Sequence, residues 1–340
     1  MNNTGIGLIS EQAKLLYNVE LIHEITMGNS GNQIYEVKKG QTAYILRVST
    51  YSAEKEKHIE FELKWMAYLS DNLSGIVRPH KSNHNAFYEV ISDTEKAYII
   101  CLLEKAPGKL VDINDPNEFN EELFFNLGAL MGKMHRLTID YGGNIRRPEF
   151  EWTGIVNAWR YENLILDESV RLCQKKYYDE ITSLPIDRDN YGIIHWDIHT
   201  DNFFVDNGKI KLFDFEACQF NWYTADMASA IFFMVQKGVG PLTYKSEKER
   251  TEFAETYLIS YLKGYLQTNR VSEYWIRKID LFIKYQMADE YIFAQNFWPN
   301  KLAHERDFYL NWHKERITND LSYAFIDYDK VIKSISAIQA

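Results

Sequence analysis

The segment "IIHWDIHTDNFFVDNGKIKLFDFE" (residues 193–216) holds His195, Asp197, His199, Asp201, Asn202, Asp214 and Glu216, threaded between Ile, Phe, Val and Leu. Solvated charge runs are not usually broken up by strand-forming apolar residues, so these groups are read as fixed on a scaffold. Two chemistries ask for such a pattern. Metal coordination would use His195, Asp197 and His199, which alternate and would share one face of an extended strand. Phosphoryl transfer needs an Asp to take or orient a hydroxyl proton. It also needs oxygen ligands for Mg²⁺, which one known catalytic-loop pattern supplies with an Asn five residues on and a second Asp after a short hairpin. Asp197, Asn202 and Asp214 follow that order, with Asp206-Asn207-Gly208 as the hairpin turn. Carboxylate and carboxamide oxygens suit Mg²⁺, a hard cation.

The metal alternative resembles the non-haem iron oxygenases, with His304 or His313 completing the set of His195 and Asp197. It requires a β-rich barrel around the ligands, and the long helical stretches on either side argue against one.

The elements that must position these residues are legible in outline. Ser10 followed by "EQAKLLYNV" reads as a capped amphipathic helix. From about residue 19 to 49, alternating apolar and polar residues around "GNSGNQ" and "KKG" predict an antiparallel meander. Ile59, Leu63, Met66 and Leu69 then recur at helical spacing. "AFYEVIS" and "KAYIICLLEK" read as further strands, and after "APGKLV" the chain becomes mostly helical, starting with "NEELFFNLGALMGKMHRL". The predicted fold class is α+β and bilobal: a small antiparallel β lobe with one main helix, then a larger, mostly helical lobe. The domains expected are 1–103 for nucleotide binding and 104–340 for the catalytic loop, metal site and acceptor pocket, joined at about 102–108. Such a join is expected to leave a cleft.

Composition bounds the function. The chain has 340 residues, 46% hydrophobic and 15% aromatic, which is long for one core and too apolar for disorder. A formal net charge of −10 argues against a general nucleic-acid binder and suits a pocket for a cationic small molecule. Cys101, Cys173 and Cys218 form no CxxC pair, so neither a disulfide framework nor a zinc site is indicated. No signal peptide or membrane-spanning run is read, and a cytoplasmic protein with no membrane partner is expected.

"HWDIHTDN…LFDFE" resembles the H-x-D-x-H-x-x-N…D-x-[DE] signature of the aminoglycoside phosphotransferase and choline kinase superfamily, over roughly residues 15 to 300. The resemblance implies a protein-kinase-like fold and a role for each matching residue. Asp197 would be the catalytic base or orienter, with Asn202 and Asp214 on Mg²⁺ and Glu216 at a position often held by Asp. His195 would brace the loop and Asp226 in "YTADMASAIF" would anchor it from below. "GNSGNQIYEV" is similar to the phosphate loop, with backbone N–H groups of Ser30, Gly31 and Asn32 cradling phosphates. Arg47 in "YILRVS" stands where the family commonly has Lys, and would contact phosphates while paired with Glu62. Glu60 is a rival for that pairing, since a modest rotation of the helix would swap the two. "LLEKAPGKLV" is similar to the hinge, with Glu104 and Ala106 beside the nucleotide. Trp196 departs from the family, which usually has Gly there.

The activity implied is transfer of the γ-phosphate of ATP or GTP, with Mg²⁺, to a hydroxyl of a small molecule. Aminoglycosides, amino alcohols, sugars and homoserine-like metabolites are the acceptor classes, cationic ones included. Asp289 and Glu290 in "KYQMADEYIFAQNFW", with Glu305 and Asp307 in "AHERDFYLNWHKER", are read either as acids of the acceptor pocket, Asp289 and Glu290 foremost, or as ordinary solvated residues. "CQFNWYTAD" is too short for a protein-kinase activation segment. A protein Ser/Thr kinase or a pseudokinase-like binding module of the same fold is the alternative. Alone, "GNSG" is a plain turn, Arg47 a strand charge and His135 a packing or capping residue. Asp201 alone reads as a solvated acid. The order Asp197, Asn202, Asp214 behind a β-rich region lifts the other assignments.

Overall fold

A computed structural model describes residues 3–25, 31–94, 96–154, 164–298 and 302–339. The chain divides into two compact units, 1–108 with 211–216 and 109–210 with 217–340. Residues 211–216, which chain order alone assigns to the second unit, pack with the first.

The first unit is an antiparallel sheet flanked by two helices. Its elements are α1 (Asn3–Tyr17), β1 (Glu20–Ile25), β2 (Gln33–Lys39), β3 (Thr42–Thr50), α2 (Ala53–Asn72), β4 (Pro79–His80), β5 (Glu89–Ser92) and β6 (Ala97–Glu104). The strands run in the order β1-β2-β3-β6-β4, with β5 also on β6, and every pair is antiparallel. Successive side chains on a strand face opposite ways. Leu46 and Val48 of β3, with Tyr98, Ile100 and Leu102 of β6, therefore join Ile9, Ala13, Leu16 and Tyr17 of α1 in one core. Arg47 lies between Leu46 and Val48 and faces α2 instead, opposite Cys101 in the register. Helix α2 begins at Ser52, whose Oγ accepts the Lys55 amide, and buries Ile59, Glu62, Leu63, Met66 and Leu69. Helix α1 starts well before Ser10, which lies inside it and is not its cap. The glycines in "NTGIGLIS" mask that start in the sequence.

The second unit is mostly helical. It contains α3 (Glu121–Asp140), α4 (Glu168–Thr182), β7 (Tyr191–Ile194), β8 (Phe203–Asp206) and the start of β9 (Lys209–Leu212). β10 (Gln219–Trp222), α5 (Tyr223–Val239), α6 (Glu247–Tyr265), α7 (Glu273–Phe297), α8 (Ala303–Thr318) and α9 (Tyr328–Gln339) follow. The β8–β9 turn is Asn207-Gly208 with both φ values positive, 49° and 75°, as a two-residue hairpin requires. β7 and β10 form a second antiparallel pair, Ile194 opposite Gln219. Strands this short among helices carry little alternation, and they are not legible in the sequence. Helices α3 and α6 cross with glycines at the contact. A Cβ on Gly128 would lie 1.9 Å from the Tyr261 carbonyl oxygen, and one on Gly264 would lie 2.0 Å from that of Phe125. Among the described residues, no helix is long and apolar enough to cross a membrane.

Candidate active site

In the second unit, residues 195–202 form an irregular loop after β7 and not a continued strand, so His195, Asp197 and His199 do not share a strand face. The reason is Trp196, whose φ of +72° turns the backbone into the left-handed region, unusual for a bulky residue. Three bonds hold it there. Asp226 Oδ1 accepts the Trp196 amide at 2.6 Å, Asp226 Oδ2 accepts the His195 amide at 3.0 Å, and Ser229 Oγ donates to the Trp196 carbonyl at 2.6 Å. Asp226 is fully buried near the start of α5, and its Oδ2 also meets His135 Nε2 at 3.0 Å. A carboxylate only accepts, so His135 Nε2 carries the proton and Nδ1 takes the Tyr265 hydroxyl at 3.0 Å, while Asn269 donates to that oxygen at 2.9 Å. His135, Tyr265 and Ser229 are thus loop supports that the sequence reading missed. They are far from the motif in the chain and bear on it only through α3, α5 and α6.

His195 is fully buried and its Nδ1 accepts the Asp197 amide at 3.3 Å. This is a backbone brace, and it occupies Nδ1 of the ring. Asn202 gives both protons of its Nδ2 to Asp197, at 2.9 Å to the backbone oxygen and 3.0 Å to Oδ2. Its Oδ1 is left as the donor atom for a cation. His199 Nε2 lies 3.4 Å from Asp197 Oδ2, and its Nδ1 accepts the Asp201 amide at 3.2 Å. Burial pushes the Asp197 carboxyl up, but the His199 bond, the charges of His199 and His195, and Asn202 together bring it below the usual range. Asp201 is not simply solvated, because it pairs with Lys237 at 2.7 Å. Farther along, Asp289 is buried and Glu290 is half-buried, accepting from Gln286 at 3.4 Å.

In the first unit a second cluster forms. Arg47 donates from Nη1 and Nη2 to the two Glu62 oxygens at 2.8 and 2.6 Å, with both residues buried. Glu60 instead pairs with Lys64 on the exposed side of α2, at 2.6 Å. Asn32, next to Gly31 with its φ of +71°, donates to Glu216 Oε2 at 2.7 Å and accepts from Ser49 Oγ at 2.6 Å. Lys55 Nζ reaches Asn32 Oδ1 at 3.0 Å and lies 3.8 Å from Glu216 Oε1. Burial raises the Glu216 carboxyl above its ordinary range, against the pull of Arg47. Asp214 is exposed, with a left-handed φ of 62°. The Glu104 carboxylate accepts from Lys211 Nζ at 2.8 Å and the Arg78 amide at 3.0 Å, and half-buried Ala106 follows it. Ser30 lies outside the described residues.

Residues 22–271 match the phosphotransferase enzyme family. The chain belongs to that family. This phosphotransferase is a small-molecule kinase acting on a hydroxyl group, and the protein kinase and iron oxygenase alternatives give way to that assignment. The amicoumacin kinase of Bacillus subtilis (strain 168) is 26% identical over 313 residues, covering 90% of each chain. An amicoumacin kinase solved with AMP-PNP, Ca²⁺ and Ami has the same fold, with TM-score 0.81 and 23% identity over 97% of both chains. A microcompartment-associated aminopropanol kinase has TM-score 0.68 and 17% identity, covering 94% of this chain and 98% of its own. The family's α+β, kinase-like fold is the one described above.

Proposed function

We propose that this kinase transfers the γ-phosphate of ATP, with Mg²⁺, to a hydroxyl of a small amino-bearing acceptor of the amicoumacin kind, in the cytoplasm. The observation that carries this reading is the fixed carboxylate of Asp197, oriented by Asn202 and His199 and held below the usual range. Such a group is ionised at neutral pH and able to accept or orient a hydroxyl proton. Holding the loop at His195 and Trp196 through Asp226 keeps that carboxylate in one place, and catalysis of phosphoryl transfer is mainly positioning and charge stabilisation.

Asn202 Oδ1 and the Asp214 carboxylate are oxygen donors of the kind Mg²⁺ prefers, and order along the chain supports pairing them. The bound ion would offset negative charge on the phosphates. Residues 1–103 would bind the nucleotide: Arg47, oriented by Glu62, with the Ser30, Gly31 and Asn32 backbone at the phosphates, and Glu104 and Ala106 near the base. Residues 104–340 would supply the catalytic loop and receive the acceptor, with Asp289 and Glu290 as acids for its ammonium group. Glu216 would support the metal end through Asn32. ATP is favoured over GTP because the similar amicoumacin kinase was solved with an ATP analogue. The amicoumacin class is favoured because the Bacillus kinase matches over nine-tenths of both chains.

ADP release, measured across amicoumacin-type compounds, amino alcohols, homoserine and aminoglycosides against a no-acceptor background, tests the reading. The expected result is turnover with an amino-bearing acceptor, lost by orders of magnitude in Asp197→Ala while ATP still binds. Near-native turnover in Asp197→Ala would overturn the role given to that residue.

A further inference from the structure

Arg47 is buried, and both of its terminal nitrogens are engaged by the Glu62 carboxylate. The two charges form a buried, neutral pair. A triphosphate keeps net negative charge even beside one divalent ion, and two other acids of this unit, Asp214 and Glu216, lie near the same cluster. A further cation is needed to balance the phosphates. We infer that Lys55 is that cation, a phosphate-binding residue of the nucleotide site.

Lys55 has the required placement. Its ammonium is 3.0 Å from the Asn32 side chain, directly after the Gly31 turn, and its side chain keeps 30% exposure where Arg47 keeps 6%. Among the described residues, the carboxylate paired with its ammonium is that of Glu216, at 3.8 Å. A contact that long is readily exchanged for a phosphate oxygen. The position in the helix argues the same way. Lys55 sits in the first turn of α2, its amide bonded to the Ser52 cap at 3.1 Å, between Glu54 and Glu56. A cation there opposes the helix dipole, whereas acids there are favourable. A residue that breaks a local rule without a local gain marks a functional task. The cation also shares Asn32 with Ser49 and Glu216, so one carboxamide ties it to the loop proposed to cradle phosphates.

This inference rests on the ATP-dependent reading above, and the test separates the two. ATP and adenosine binding to the full chain are measured by calorimetry, without and with Mg²⁺, for the unaltered protein and for Lys55→Met, Lys55→Gln and Lys55→Arg. Lys57→Met, on the exposed face of α2, serves as a charge control. A lost charge-assisted contact corresponds to roughly 10- to 100-fold in affinity. The expected result is that loss for ATP in Lys55→Met and Lys55→Gln, little change for adenosine, most of the affinity restored in Lys55→Arg, and none of these effects in Lys57→Met. Unchanged ATP affinity in Lys55→Met or Lys55→Gln, or an equal loss for adenosine, would overturn the role of Lys55 and leave the kinase reading intact. Failure of the unaltered chain to bind ATP would overturn both.

Discussion

Replacing Asp226 with Asn tests the link between buried support and catalysis. The carboxylate accepts from three donors: the Trp196 amide on Oδ1, and the His195 amide with His135 Nε2 on Oδ2. An Asn side chain has only one accepting atom. Turned either way, its NH₂ faces a backbone N–H, so at least one donor is left buried against another donor. Hydrogen bonds to charged groups are worth about 1.5–3 kcal/mol each, and an unsatisfied buried donor costs about 1–3 kcal/mol more, so Asp226→Asn should lose about 3–5 kcal/mol. The left-handed Trp196 backbone is itself unfavourable by about 1–2 kcal/mol for an L-residue, and it persists because these bonds hold it. Released, it shifts the peptide preceding Asp197. A misplacement of about 1 Å can cost roughly 100-fold in rate. Urea unfolding would report the stability, and steady-state kinetics would report a fall in kcat with little change in the ATP KM, because the cluster proposed above to bind the nucleotide belongs to the other unit. If Asp226→Asn unfolds at the same urea midpoint and keeps its kcat, the support described here does not operate.

Glu62→Ala leaves a buried guanidinium without its carboxylate and should destabilise by about 3–5 kcal/mol, whereas Glu60→Ala, on the exposed face, should change stability by under about 0.5 kcal/mol. Equal effects in denaturation would refute the assigned pairing. His313 is fully buried, and burial, with Arg316 and Arg250 nearby, holds its pKa down at about 3. The unfolded chain therefore binds this proton first, so stability should fall as pH drops from about 6.5 towards 3, by on the order of 4 kcal/mol in all, and His313→Gln should flatten that limb. Denaturation midpoints measured across this range for both proteins check the sign. At Trp196, Gly should be tolerated better than Ala by about 1 kcal/mol, the reverse of their usual order, since the indole is lost in both and only Gly relieves the positive φ. Melting temperatures of the two variants decide it.

Much of the site was legible because its spacing is local. The five-residue step from Asp197 to Asn202 is a property of one short segment and brings the two side chains into hydrogen-bond contact, and the Asn207-Gly208 turn closes its hairpin as expected. The choice between Glu60 and Glu62 was not legible, because both fit a helix facing the sheet and only the phase of α2 separates them. His135, Tyr265 and Ser229 were hidden for another reason. Each is unremarkable in its own helix and acquires a role only when α3, α5 and α6 pack. The start of α1 was misread because its two glycines and Ser10 look like a boundary, while burial of Ile9 and Ala13 against the sheet overrides that local signal.

The contact between α3 and α6 is made by main chain against main chain, with no room for even a methyl group at Gly128 or Gly264. A separation defined by backbone atoms is set by the two glycines themselves and not by the side chains around them. α3 carries His135 and α6 carries Tyr265, so the spacing of the relay to Asp226 depends on that main-chain contact. A substitution at either glycine would push the two helices apart and, through His135 and Tyr265, disturb the loop that holds Asp197, even though neither glycine touches that loop.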